Sequence, residues 1–221
     1  GADALRLYMI HSPVVRAEDL RFSEDGVKDA LRHLLIPLWN AYSFFVTYAR
    51  VDGWKPSATN GKSLAETGHL LDRWILSSLD HLISDVSGAM DVYDLQQAVR
   101  PFVAFIEDLT NWYIRRSRRR FWKSTDDEDK AMAYRTLYTV LLQLSKVAAP
   151  FVPFISENIY RNLRTEDMPE SVHLCDFPQS SGAGRDESLE KQMAAVMSVV
   201  VLGRQLRSAH DLKVRQPLPA M

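Results

Sequence analysis

A single cysteine, Cys175, stands among 221 residues, so no disulfide can close within the chain and no second thiol sits at metal-ligand spacing. The six histidines (His11, His33, His69, His81, His173 and His210) are scattered, with no two of them three to five residues apart. That spacing argues against a structural zinc site, and a reduced, cytoplasmic setting is the expectation. Nine glycines and ten prolines are too few for a disordered or fibrous protein. No stretch reaches about 18 uninterrupted apolar residues, so nothing reads as membrane-spanning. Net charge is missing too: 27 basic and 28 acidic residues leave -1. The chain as a whole does not advertise a polyanion partner, and any nucleic-acid site must come from local segregation of charge. The first residues, Gly1-Ala-Asp-Ala-Leu-Arg6, are no signal peptide, because charges stand where an apolar run would follow. With no Met at the start, the expectation is a segment of a longer polypeptide.

What is present is apolar spacing of helical period. Of the residues, 46% are hydrophobic, enough for one large domain, with or without a small appendage. Leu5, Tyr8 and Met9 mark a short helix closed by Ser12-Pro13. Ser23 offers a cap to a long amphipathic helix reaching about Arg50, through Val27, Leu31, Leu34, Leu38, Tyr42 and Phe45, with a kink expected at Pro37. A loop follows at 52–62. A second helix is predicted from about Ala65 to Met90, on a stripe of Leu71, Trp74, Ile75, Leu79, Leu82, Ile83 and Val86. A third carries Leu95, Val99, Phe102, Val103, Ile106, Leu109 and Tyr113, with a bend at Pro101. A fourth opens at Asp126-Asp127-Glu128-Asp129 and is interrupted near Pro150 and Pro153, before a short helix through Ile155, Ile159 and Leu163. Residues 165–185 read as loop, with Val172-His173-Leu174 the one candidate strand. A last helix spans about Glu187 to His210. The fold class is therefore all-α, an antiparallel helix bundle with a short helical appendage at its C-terminal end.

One segment segregates charge. Arg115, Arg116, Arg118, Arg119, Arg120 and Lys123 place six cations in nine residues with no acid among them. At 100° per residue, Arg115, Arg118 and Arg119 share one face, and Arg116 and Arg120 an adjacent one, which together predict a wide basic surface. Guanidinium groups stay charged, hold phosphate oxygens through paired N–H donors and release counterions on binding. Trp112, Tyr113, Phe121 and Trp122 bracket the cluster, and rings among arginines suit looped or single-stranded RNA. Two other readings remain open at this point. Cations also complement the dipole at a helix C-terminus, with Trp112 and Tyr113 as core and the acids at 126–129 as neutralising partners. A protein partner is the other. Six cations exceed what a dipole needs, which tips the reading towards RNA.

Other candidates carry less. The acids at 126–129 lack the alternate spacing and glycine of a cation loop. Gly182 and Gly184 are not followed by the lysine of a phosphate cradle, and Asp80, His81 and Ser77 or Ser78 point in different directions on one helix. Met90, Met132, Met193 and Met197 sit at core positions.

Several stretches resemble a known family. Gly1-Ala-Asp-Ala-Leu-Arg6 with Ser12-Pro13 and Asp19-Leu-Arg-Phe22 resembles the segment after the KMSKS loop in the large class I aminoacyl-tRNA synthetases for isoleucine, valine and leucine. Leu71-Asp-Arg-Trp-Ile-Leu-Ser77 resembles the first-helix signature of their anticodon-binding bundle. Asp108-Leu-Thr-Asn-Trp-Tyr-Ile-Arg-Arg-Ser-Arg-Arg-Arg-Phe-Trp122 is similar to the isoleucyl members in particular, since valyl members carry a related aromatic pair without the arginine run. Pro150-Phe-Val-Pro-Phe-Ile-Ser-Glu157 and Lys213-Val-Arg-Gln-Pro-Leu218 fit the same group.

The resemblance implies a connector at 1–22 following a catalytic domain, an anticodon-binding bundle at 23–165, a loop at 166–185, and the start of a C-terminal region at 186–221. It implies a monomeric, cytoplasmic parent that charges its tRNA with isoleucine using ATP and Mg. Both nucleotide-site signatures and the cysteine cluster that holds zinc in many bacterial members are absent here, so no catalytic residue, metal or cofactor is expected in this segment. The implied partners are the anticodon arm of an isoleucine tRNA and the catalytic domain of the same polypeptide. Arg115, Arg116, Arg118, Arg119, Arg120 and Lys123 would hold phosphates; Trp112, Tyr113 or Trp122 would stack on bases; Lys213 and Arg215 are secondary candidates. A valyl or leucyl sibling, or a helical protein-interaction module, is the alternative.

Overall fold

The computed structural model describes residues 1–56, 68–122, 127–180, 182 and 185–217. The described residues are helical, without a strand. Helix α1 (Ala2–His11) is followed by a 3-10 turn at Pro13–Arg16, then by α2 (Glu24–Ala30) and α3 (Ile36–Val51), with a π-helical turn at Leu31–Leu35 between them. Next come α4 (Leu70–Asp91), α5 (Leu95–Val99), α6 (Pro101–Glu107), a π-helical segment at Asp108–Ile114, and α7 (Arg115–Trp122). Helices α8 (Asp127–Ala148), α9 (Pro153–Leu163) and α10 (Glu187–Ala209) complete the order. Residues Gly1–Arg185 form one compact unit and Asp186–Met221 a second.

Side chains cap α2, α5 and α10, Ser23 where the sequence offers it and Asp94 and Asp186 in addition. The backbone N–H of Gly26 donates to Ser23 Oγ at 3.4 Å, that of Gln97 to Asp94 Oδ1 at 3.0 Å, and that of Leu189 to Asp186 Oδ1 at 2.9 Å. Helix α9 is capped from afar. Its first two N–H groups, of Phe154 and Ile155, donate to the Asp3 carboxylate of α1 at 3.2 and 2.7 Å. An acid at a helix N-terminus meets both the orphan donors and the positive end of the dipole, and so the first helix is tied to the ninth.

At Pro37, where a kink is expected, the backbone changes its helical geometry. The proline lacks an N–H, and its ring crowds the carbonyl of His33 four residues back. The π-helical turn at Leu31–Leu35 lies across that position, widening the backbone where an α-turn would clash. The run from Leu95 to the arginines is also continuous, since Arg100, Asp108 and Arg115 all keep right-handed helical angles. The second predicted helix begins at Leu70; residues 57–67, including Ala65 and most of the expected loop, lie outside the described residues.

Val172–Leu174 is a 3-10 turn and not a strand. The Val172 N–H donates to Glu157 of α9 at 2.9 Å, and the Ser171 hydroxyl to the same Oε2 at 3.0 Å. With its backbone donor taken by a side chain, the segment needs no ladder partner.

The core runs along α4 and α8. Trp74, Ile75, Leu79, Leu82, Ile83 and Val86 of α4 are buried, as are Leu137, Val140, Leu141 and Leu144 of α8. Helix α8 packs against α3, α4, α7 and α9, which brings the arginine-bearing α7 onto a helix of the core.

One close approach yields a prediction opposite in sign to helix propensity. A Cβ on Gly26 would lie 2.4 Å from Tyr8 Cε2. The Tyr8 ring is fixed by an edge contact with Phe22 at 5.6 Å, and its hydroxyl accepts the Ser23 N–H at 3.1 Å. Alanine normally stabilises a helix over glycine by about 1 kcal/mol. Here Gly26→Ala is expected to destabilise by about 1–3 kcal/mol through overpacking, seen as a lower Tm in thermal melts; an unchanged or higher Tm contradicts it.

Candidate nucleic-acid interface

Helix α7 has two faces. Ser117, Arg120 and Phe121 are buried, at the i, i+3, i+4 spacing of a core stripe. Arg115, Arg118, Arg119 and Trp122 are exposed, at the i, i+3, i+4, i+7 spacing of the opposite stripe. Arg116 is exposed beside them. The cations therefore do not form one surface: four face out and Arg120 faces in.

Arg120 is 8% exposed and Asp72, at the start of α4, is fully buried. The guanidinium meets this carboxylate side by side, Nη1 to Oδ1 at 2.7 Å and Nη2 to Oδ2 at 2.8 Å. Its Nε donates to both Asp129 oxygens of α8 at 2.9 and 3.0 Å, and Nη2 reaches the Asp129 carbonyl at 3.2 Å. The Tyr113 hydroxyl donates to Asp72 Oδ1 at 2.9 Å. Burial alone would make the Arg120 cation less favourable, but the hydrogen bonds it donates to Asp72 and Asp129 outweigh it and hold its pKa above the ordinary value. Tyr113, wholly buried, has its phenol pushed well up, by burial first and by the Asp72 carboxylate second.

The structure thus puts Tyr113 and Arg120 in an internal clamp joining α4, the π-helical segment, α7 and α8. With all three nitrogens engaged, the guanidinium is not presented to a phosphate, and a ring without exposed surface cannot stack on a base. A trace of this stands in the sequence. Ile106, Leu109, Tyr113, Ser117, Arg120 and Phe121 continue one stripe in steps of mostly three and four, which places Arg120 on the core face. Asp72, its partner across 48 positions, carried no local sign of that role.

The outward face adjoins rings from α3. Arg118 Cζ lies 5.9 Å from the Phe44 centroid and Arg116 Cζ 5.3 Å from that of Trp112. Trp122 meets Tyr48 edge to face at 6.0 Å. Phe44 and Tyr48 were not among the residues singled out by sequence. Trp112 is half-buried. Among the described residues, no carboxylate pairs with Arg115, Arg116, Arg118 or Arg119. Lys123 and Asp126 lie outside the described residues. Lys213 and Arg215 are exposed, in the second compact unit. No group of three or more His, Cys, Asp or Glu side chains among the described residues is placed to hold a metal ion, and Cys175 donates its thiol to Tyr160 Oη at 3.1 Å.

Close by, burial and the neighbouring Glu107 push the half-buried Asp108 carboxyl up to about 6. A folded-state pKa above the unfolded value means that the folded chain holds the extra proton. Stability therefore falls as pH rises through the window between the ordinary carboxylate range and about 6. Asp108→Asn is expected to raise Tm at pH 7.5 and to lose that advantage towards pH 4; an equal effect at both pH values contradicts it. For the clamp, Arg120→Ala removes the cation that balances the buried Asp72 carboxylate, which costs about 3–5 kcal/mol and lowers Tm on the order of 10 °C. Arg119→Ala on the outer face is expected to change stability by less than about 0.5 kcal/mol. Equal melting losses for the two variants would contradict the division of faces.

Comparison with known proteins agrees with this architecture. Residues 72–221 match the family model described as the anticodon-binding domain of tRNA ligase. The chain is 56% identical over 218 residues to isoleucine–tRNA ligase of Protochlamydia amoebophila, covering 99% of this chain and 21% of that protein. It is 51% identical over 230 residues to the enzyme of the same name from Treponema denticola, covering 100% of this chain and again 21% of the other. The chain thus spans about a fifth of the length of these relatives. In fold it is similar to a chain in the crystal structure of a ternary complex of Agrobacterium radiobacter LeuRS, tRNA and LeuAMS, with a TM-score of 0.57 at 19% identity over 84% of this chain and 20% of that one. The LDRWILS signature, with Asp72, Trp74, Ile75 and Ser77 buried, the arginine helix and the helical bundle agree with the sequence match: the chain belongs to the anticodon-binding domain family of tRNA ligases.

Proposed function

We propose that this chain is the tRNA-binding part of an isoleucine–tRNA ligase, holding the anticodon arm while chemistry proceeds elsewhere in the longer protein. The observation that carries the reading is the outward stripe of Arg115, Arg118 and Arg119, with Arg116 beside it, on a helix whose inner face is locked. Four exposed guanidinium groups supply phosphate contacts, which give affinity and register more than identity. The names of the relatives support isoleucine as the amino acid. Under this reading residues 1–22 connect to a catalytic domain, 23–165 form the bundle, 166–185 the loop, and 186–221 open a C-terminal region. ATP and Mg belong to the catalytic part, and the parent acts as a cytoplasmic monomer. Arg120 and Tyr113 serve this function by setting the angle of α7, and Lys213 and Arg215 are secondary contacts.

Filter binding of the 221-residue chain to an isoleucine tRNA transcript tests the reading. With about four phosphate contacts, affinity is expected to fall roughly 50- to 150-fold between 50 and 200 mM salt. Arg118→Ala and Arg119→Ala are each expected to weaken binding on all tRNAs alike and to lower the salt slope by about 1. A chain without tRNA affinity at low salt, or a double variant with an unchanged slope, contradicts it.

A further inference from the structure

We infer that Trp122 and Tyr48 form a platform on which one unpaired nucleobase of the bound RNA stacks, with Arg118 and Arg119 on the flanking phosphates. The inference rests on the tRNA-binding reading above and adds a base site to it. Of the four aromatic residues that bracket the arginines, Trp122 is the accessible one, Phe121 being fully buried. It is 49% exposed, while Tyr113 is wholly buried and Trp112 is half-buried with Arg116 against its ring.

A lone half-exposed tryptophan is ordinary on a protein surface. Trp122 differs in how it is held. Its ring meets Tyr48 at 6.0 Å and 74°, Tyr48 meets Phe44 at 4.8 Å, and Phe44 meets Phe121 at 5.2 Å and 83°. Phe121 is fully buried and packs on Tyr134 at 5.0 Å. A ladder of rings thus runs from the core to the surface, so the outermost ring is fixed before any ligand arrives. A rigid aromatic with two torsions loses little entropy when a base is laid on it.

Position supplies the second argument. Trp122 follows Arg119 by three residues, Arg118 by four and Arg115 by seven, so all four lie on one face. At 1.5 Å rise per residue, that stripe extends about 10 Å along the axis. Arg118 lies over Phe44 in the ladder itself, which orients its guanidinium beside the rings. Cations in line with an exposed, braced ring suit a nucleotide whose base stacks while its phosphates are held. Stacking is tolerant of sequence, because every base has a π-face. The platform therefore adds affinity and register without reading identity.

The test uses the 221-residue chain, the isoleucine tRNA transcript and filter binding at several salt concentrations, with thermal melts of each variant. Trp122→Ala is expected to weaken binding by roughly 5- to 150-fold with the salt slope unchanged, because no phosphate contact is removed, and with Tm lowered by only a few °C for the lost contact with Tyr48. Trp122→Phe keeps a π-face and is expected to recover most of that loss. Tryptophan fluorescence of the wild type is expected to quench on tRNA binding, with the quench reduced in Trp122→Phe. Wild-type affinity in Trp122→Ala overturns the platform. So does a loss accompanied by a smaller salt slope or by unfolding at the temperature of the binding measurement, which would make the role electrostatic or structural. In both cases the tRNA-binding reading stands if the wild type binds with the steep salt dependence given above. If the wild type binds no tRNA at low salt, that reading falls and the platform with it.

Discussion

The carboxylate of Asp72 has no solvent-exposed surface, and the fold places the fork of Arg120 squarely against it at 2.7 and 2.8 Å. Everything proposed for the outer face depends on this contact. Helix α7, eight residues from Arg115 to Trp122, is the last stretch of the continuous helical run from Leu95, and a helix end frays unless it is held. It must be fixed by its neighbours, and a rotation of 100° would exchange one residue's direction for the next. The paired geometry with Asp72, and the second carboxylate from Asp129 of α8, fix both rotation and position. Burial of an ion pair is weak evidence for stability, since an apolar replacement of the whole group is often as stable. Its effect here is directional: with Arg120 turned in, Arg115, Arg118 and Arg119 turn out.

A second polar cluster plays a comparable part at the end of α3. Asp52 accepts from the Tyr134 hydroxyl and pairs with Lys130 Nζ at 2.8 Å. Burial would raise its carboxyl pKa, but the hydrogen bonds from Lys130 and Tyr134 prevail and lower it, while burial and Asp52 together push the Tyr134 phenol up. Asp52 and Asp129 thus each tie α8 to a neighbouring helix, one to the end of α3 and one to α7. The aromatic ladder from Tyr134 through Phe121 and Phe44 to Tyr48 fills the space between those helices.

The helices were largely legible in the sequence, because Trp74, Ile75, Leu79, Leu82, Ile83 and Val86, or Leu137, Val140, Leu141 and Leu144, repeat at helical steps and are buried accordingly. The π-helical segments were not, since widening a turn leaves the spacing of apolar residues almost unchanged over five to seven positions. Val172-His173-Leu174 was too short to have a period, and a carboxylate on α9 decided its form. In the site, charge density revealed the arginine helix, and family resemblance gave it a purpose. The division of its faces depended on Asp72, 48 residues away, and the platform on Tyr48 of another helix. Neither pairing has a local signature.

The tRNA affinity of Asp72→Asn tests the account most directly, because two physical effects oppose one another there. Removing a negative charge from a polyanion-binding chain favours tighter binding through the long-range field. Loosening the clamp releases α7 and favours weaker binding. Asp72→Asn, with helical content retained, is expected to bind the isoleucine tRNA transcript at least several-fold more weakly than the wild type. Equal or tighter binding by a folded Asp72→Asn chain would contradict it.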